Sequence, residues 1–537
     1  MTSCSFDRLL GLALVTSLAA CAVDAPAPDA AALDARRRLI RASLDVRGIR
    51  PSLEELDQVK SDPDAVDGLV EGFVDHPGFA RRVRAIFAPA LRTRRDEISI
   101  EGEAFGLDAE DEGRFAEAVT EEALNLIADV AVADRPFTEI LTADYTVIDE
   151  ILVAGWPVVP AEPASTNDGL VRAHYVDGRP AAGVLATNAF FWRHRSTLEN
   201  ANRGRANAIS RAFLCEDYLE RPIDFPSDID LSDADAIENA IDHNAACQAC
   251  HATLDPLASH LWGFMVLTED ASAVSRYHPE NERMWQPQTG AAPAFYGRPT
   301  DGSLATLATA IANDPRFVSC VVRRSYEALL GRPAALEDEG QLAAHREVFL
   351  DSGLSFKRLV QSLLHDPAYR GLAEASAFGG TPAPVADKLV SPELLQTSLE
   401  ALTGYRMTID GRDVTRVDAA LRAFAGGSES GPTATPSLGQ HLTQRRLAEG
   451  AADHLVTGAG ADSVLGQLLA ALPRETPPDP DALTPLLRVA QGDPPDLARR
   501  RDAATQLWRD VADSDGPAAA WAALLTALLA DPDLAIY

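Results

Sequence analysis

Along most of the chain apolar residues recur every three or four positions. FAEAVTEEALNLIADVAVA (115–133) and LATLATAIANDPRFVSCVVRRSYEALLG (304–331) are the longest clear runs, and this spacing predicts amphipathic helices. Alternation with a period of two is rare and short, as in TIDGRDVTRV from Thr408, so few strands are expected. The pattern predicts a mostly α, multi-domain helical protein.

A loose repeat sharpens that expectation. LVEGFVDHPGF (69–79), LVQSLLHDPAY (359–369) and LLTALLADPDL (524–534) each carry a proline, with apolar residues eight, seven, four and three positions before it and another two positions after it. LATAIANDPRF (307–317) is a fourth, looser copy. The first four apolar positions form one helical stripe; Pro77, Pro367 or Pro532 then stops the helix, and the next apolar residue folds back onto it. GIRP (48–51) and LGRP (330–333) precede two of these segments, each opening a short acidic helix. These are packing signals and carry no chemistry of their own.

A chain of 537 residues exceeds what one core usually organises. Residues 1–20 join Arg8 to an apolar run that is too short for a comfortable membrane span and ends in small residues, which reads as an export signal. LAAC ending at Cys21 resembles a lipobox, which would make Cys21 the lipidated first residue of the mature protein, with 21–34 as a tether. The remaining divisions are an N-terminal helical domain (35–100), a helical linker domain (101–182), a domain around the AACQACH motif (183–330), a repeat-like segment (331–375) and a C-terminal helical region (376–537). That last region is interrupted by the glycine- and serine-rich linker 425–437 and by PRETPPDPDAL (473–483). No stretch beyond the signal reads as a transmembrane helix.

Forty-eight basic against 80 acidic residues give a formal charge of −32. Such a surface repels nucleic acid and anionic lipid except at local patches, so nucleic acid is not expected as a partner. Only Lys60, Lys357 and Lys388 are lysines, so the positive charge is nearly all arginine.

Chemistry concentrates at AACQACH (245–251). Cys247 and Cys250 lie three apart, as on one helical turn, and His251 follows at once. That is the arrangement c-type haem attachment requires: two thiols that add across the vinyl groups and an imidazole for the iron. A Cys247–Cys250 disulfide or redox dithiol is an alternative, as is a zinc site using Cys247, Cys250 and His251 with His243 or His260, and so is chance. In the haem reading His251 is the proximal ligand, and its second ring nitrogen needs an acceptor, for which the carbonyl of Pro256 is the candidate. Met284 and His278 are the leading candidates for the sixth position, with Met265 and His260 behind them; an open position is the remaining option.

Trp262, Phe264 and Trp285 are available to wall a porphyrin, or simply to pack. Arg193, Arg195, Arg203 and Arg205 are available for haem propionates or for the protein's own acids. Cys215 and Cys320 remain once the motif, Cys21 and the signal's Cys4 are assigned, and in an oxidising compartment they favour a bond with each other. Other active-site patterns fail. GGSESG (426–431) places Glu429 where a hydrolase elbow needs serine, and HExxH, a Walker loop and a dinucleotide fingerprint are absent. Acidic pairs such as Asp108 with Glu110, or Glu337 with Asp338, are indistinguishable from solvated helix charge in so acidic a chain.

Three consecutive segments resemble a known group. GVLATNAFFWRHRSTLENANRGRANAISRAFLCEDYL (183–219), CQACHATLDPLASHLWGF (247–264) and DGSLATLATAIANDPRFVSCVVRRSYEALLGRP (301–333) resemble the DUF1588- and DUF1585-type exported proteins of planctomycetes and myxobacteria. RLIRASLDVRGIRPSLEELDQVKSDPD (38–64) is similar to the DUF1549-like segment that starts such proteins. The family's CxxCHxxxDPxG element maps onto Cys247, Cys250, His251, Asp255 and Pro256, and its later cysteine onto Cys320. The chain departs from the pattern at Ala258, where the family has glycine, and at HLWGF, where it continues LENFD. The resemblance implies one covalent haem c; joined to the lipobox at Cys21, the expectation is a single-electron carrier, lipid-anchored at the cell envelope and outer-membrane or periplasm-facing, with an unknown redox partner. A scaffold lipoprotein of an envelope complex and a peroxidase-type haem enzyme are the rival expectations. Catalysis has no residue-level support of its own.

Overall fold

The recurrent ladder builds much of the molecule. In the computed structural model, which describes residues 34–94, 101–166, 169–221, 229–230, 232–267, 271–372, 387–409, 412–414 and 437–537, every ladder position of all four copies is buried except Leu69, which is partly buried. Each turn is made the same way: the residue before the proline accepts the backbone N–H two positions on. Asp314 takes that of Arg316 (2.9 Å), Asp366 that of Ala368 (2.7 Å), Asp531 that of Asp533 (2.9 Å), and His76 Nδ1 that of Gly78 (2.9 Å). The proline does more than stop a helix. Pro315 and Pro532 also open the next one, where a missing N–H costs nothing.

Among the described residues 63% are helical and 5% lie in strands, so the mostly α expectation holds. The run 115–133 forms the helix Glu112–Val132, and 304–331 forms Leu304–Ala312 and Pro315–Leu330. Gly331, at φ 72°, closes the latter in the left-handed conformation that glycine adopts without strain. After GIRP, Ser52 and Glu55 form a reciprocal capping box that starts Leu53–Ser61. TIDGRDV pairs Thr408–Ile409 with Arg412–Asp413 as a short antiparallel hairpin.

One region differs from its expectation. The stretch 101–182 is not purely helical: Thr146–Ile148, Val158–Ser165 and Val171–Tyr175 form an antiparallel sheet with the third strand in the centre. Pro160 and Pro163 hide the strand Val158–Ser165 in the sequence. That strand is tolerated because it lies on an edge, where a missing donor breaks no central ladder.

Two large cores divide the chain. The main core draws continuously on Leu39 through Tyr369, crossing the expected boundaries at 100, 182 and 330; the second draws on Val390 through Leu534. The helix Ala35–Val46 serves both. Leu39, Ala42 and Val46 face the main core, while Ile40 and Leu44 face the second. At its end Asp45, 2% exposed, accepts two bonds from Lys388 Nζ (2.8 and 2.7 Å), one from Tyr369 Oη (2.9 Å) and one from Tyr537 Oη (2.9 Å). Lys388 and Tyr537 also exchange backbone hydrogen bonds. One carboxylate thus gathers the start of the described fold, the start of the second body and residue 537.

The signal segment, Cys21, the tether before Asp34 and the linker 425–437 apart from Ser437 lie outside the described residues. No described helix is long and apolar enough to cross a membrane.

Candidate functional site

CQACH lies on the helix Ala245–Ala258, whose first turn is capped by Asn244 through the Ala246 N–H at 2.9 Å. Leu254, Leu257 and Ala258 seat the helix on the main core, and Cys250 packs partly against it. Cys247 and Cys250 are one turn apart, half-buried, and both free thiols. Their position on a helix is the local consequence of a short run with good caps and no β-branched interruption before Thr253.

His251 is held from below. Its Nδ1 lies 3.2 and 3.4 Å from the two carboxylate oxygens of Asp255, four residues on, while Nε2 has no protein partner among the described residues. Asp255 is itself fixed by a two-pronged contact from Arg203, Nε to Oδ1 at 2.7 Å and a terminal nitrogen to Oδ2 at 2.9 Å. Burial pushes the Asp255 carboxyl up, but the bonds from His251 and Arg203 outweigh it and leave the group below its ordinary value. Pro256 sits inside the same helix. The group against Nδ1 is therefore the side chain of Asp255, with Pro256 one place beyond it.

Arg203 is delivered by the helix Arg203–Leu214, which packs directly on the CQACH helix. Its first turn follows Ala201 and Asn202, both at positive φ (50° and 64°). The buried Arg205 organises this bend by donating to the carbonyls of His194 (2.8 Å), Phe264 (3.1 Å) and Phe191 (3.3 Å) and to Asn202 Oδ1 (2.8 Å). Burial among these neutral acceptors pulls its pKa down to about 9. Of the four arginines, then, Arg203 meets an acid, Arg205 meets carbonyls, Arg193 is half-buried and Arg195 is exposed.

The other expected site residues lie in their own settings. His278 contacts the Ala273 carbonyl through Nε2 (3.0 Å) and Glu280 through Nδ1 (3.3 Å). Met284 and Trp285 pack against the buried cluster of Ala201, Trp262 and Met265. His260 is buried between the Leu257 carbonyl and Thr300 Oγ1 (2.6 Å), and its pKa is lowered by that burial. His243 is turned to the Asn239 carbonyl at 3.0 Å. The zinc arrangement is not assembled: among the described residues no group of three or more His, Cys, Asp or Glu is placed to hold a metal ion. Cys215 and Cys320 are joined as a disulfide. It ties the end of the Arg203–Leu214 helix to Pro315–Leu330 and so brackets the CQACH segment.

Sequence reasoning passed over two further groups. Asp255 entered only as part of the DP element, although its i, i+4 spacing from His251 on a helix was a readable signal. Ser362 Oγ, His345 and Asp366 are also in line, at 2.7 Å from Nδ1 and 2.7 Å from Nε2. This order reverses the ring orientation of a hydrolytic triad, and Ser362 lies in the last turn of the helix Phe356–Leu364. The trio ties two adjacent helices together.

No protein-family model, no curated protein and no solved structure matches the chain.

Proposed function

We propose that the chain is a c-type haem protein that passes single electrons at the cell envelope, held to the membrane through a lipid on Cys21. One observation carries the reading: His251 is anchored at Nδ1 and open at Nε2, directly beside two free thiols one helical turn apart. A porphyrin iron held there supplies a one-electron ferrous–ferric couple.

The chain's own groups fit that role. Cys247 and Cys250 would add across the two vinyl groups, each S–H hydrogen passing to carbon, so the attachment consumes no oxidant. Asp255 accepts from Nδ1, selects the tautomer with its lone pair on Nε2 and raises the basicity of the ring. Arg203 keeps the carboxylate from turning away and balances its charge. His278 and Met284 serve the sixth position only by leaving the partners described above.

The test is expression of the full chain in a host that matures c-type haem. A haem-stained denaturing gel is expected to show a covalent band that vanishes in the Cys247→Ser/Cys250→Ser variant. A wild-type protein free of iron and without a Soret band would overturn the proposal and leave the scaffold reading. Asp255→Asn is expected to keep the band and raise the midpoint potential, because a neutral amide withdraws less proton density from the ring. Carbon monoxide shifts in the reduced wild type would favour the haem-enzyme reading over a carrier.

A further inference from the structure

A cleft of about 520 Å³ opens between the two bodies, far from CQACH in sequence, and this is the size of a small-molecule site. One wall comes from the helices Phe79–Leu91 and Glu112–Val132, the other from Pro392–Thr403, with Arg406 and Asp413 from the hairpin segment completing it. Six carboxylates face four arginines among the described residues of its lining. Most of the charge is matched. Arg114 pairs with Asp149 at 2.6 Å and Arg406 with Asp413 at 2.8 Å. Arg94, from behind the wall, holds Glu121 at 2.6 Å and Glu393 Oε2 at 2.7 Å.

The acceptors left over lie on one face of one helix, while Arg81 and Arg84 line the facing wall. Among the described residues Glu393 Oε1 and Gln396 Oε1 are buried oxygens with no donor, and Gln396, whose Nε2 donates to the Tyr405 carbonyl at 3.4 Å, is only 2% exposed. Glu400 makes no close ion pair or side-chain hydrogen bond among the described residues, although its charge acts on Arg406 across the cleft. Positions 393, 396 and 400 follow the i, i+3, i+7 spacing of a single helical stripe, and all three line the cleft. A buried acceptor without a donor leaves its desolvation uncompensated and destabilises the fold. Water would relieve that cost, but with Arg94 counted the described lining sets six carboxylates against five arginines, so one negative charge would remain uncompensated. A cation rich in N–H groups relieves both.

We propose that this cleft binds a small organic cation, an ammonium or guanidinium compound, whose N–H groups donate to Glu393 Oε1, Gln396 Oε1 and Glu400. The site is independent of haem. Charge on Glu400 supplies attraction, the Gln396 carbonyl supplies direction, and Arg94 keeps Glu393 oriented by occupying only its other oxygen.

The experiment is calorimetric titration of the full purified chain with agmatine and with putrescine, alongside calcium chloride. At least one of the two organic cations is expected to bind saturably at one site. Glu400→Gln, which breaks no hydrogen bond or close ion pair among the described residues, is expected to weaken binding by about ten-fold, the loss of one charge-assisted hydrogen bond. Gln396→Met is expected to weaken it as well, with circular dichroism confirming that the variant is folded. The Cys247→Ser/Cys250→Ser variant is expected to bind like wild type, which separates this site from the haem proposal. Absence of binding at millimolar concentrations of both cations would overturn the proposal. So would binding that both cleft variants leave unchanged, or binding by calcium alone.

Discussion

Replacing Cys215 and Cys320 together by alanine removes a cross-link that spans 105 residues of sequence. In the chain-entropy treatment, closing a loop of that length lowers the entropy of the unfolded chain enough to stabilise the fold by about 4.8 kcal/mol at room temperature. Cys320 is 2% exposed within the helix Pro315–Leu330, so losing its sulfur adds a small packing cost, which alanine keeps free of any unsatisfied hydroxyl. The expected loss is about 4–5 kcal/mol. It should fall on the main-core unit rather than on the whole chain, because the second core lies outside the bracketed loop. Hydrogen-exchange mass spectrometry in graded denaturant reads that unit directly, through peptides covering Arg203–Leu214, Ala245–Ala258 and Pro315–Leu330. Wild type in a strong reductant is expected to reproduce most of the loss, which separates the cross-link from packing. A decrease below about 1 kcal/mol in both the variant and the reduced wild type would refute the loop-closure reasoning.

Three further outcomes are expected. Asp338 is fully buried; burial alone would raise its pKa, but the bonds from Arg332 (2.6 and 2.8 Å), Tyr326 (2.7 Å) and the Ala335 amide (2.7 Å) bring it down to about 2. Its contribution of about 2.5 kcal/mol is complete above the unfolded value near pH 4 and lost as pH falls through about 2; Asp338→Asn should therefore destabilise at neutral pH and converge with wild type at pH about 2 in urea titrations. Asp45→Asn leaves Lys388 buried without its carboxylate and should cost about 3–5 kcal/mol, part of which Lys388→Met in the same chain restores; thermal melts reporting equal stability of the single and double variants would contradict this. In the ladder, Leu363→Ala at a fully buried position should cost about 2–5 kcal/mol, and Leu69→Ala, partly buried, clearly less by the same melts.

Much of this molecule follows from local rules that a single sequence obeys. The three-and-four spacing predicts the helices because an amphipathic stripe has no other economical conformation, and Pro77, Pro315, Pro367 and Pro532 mark their turns because proline lacks the helical N–H. Cys247, Cys250 and His251 identify their candidate chemistry by adjacency alone. Only the tertiary structure decides the rest, because it depends on groups that meet across long separations. Arg203 reaches Asp255 from 52 residues away, and Asp45 collects Lys388 and Tyr537 from the far end of the chain. The strand Val158–Ser165 survives two prolines through its edge position, and the orphaned oxygens of Glu393 and Gln396 become a site only where a second body leaves a gap. Spacing along the chain specifies which side chains share a face; whether that face meets apolar core, a counter-charge or an open cleft is set by what the rest of the chain packs against it.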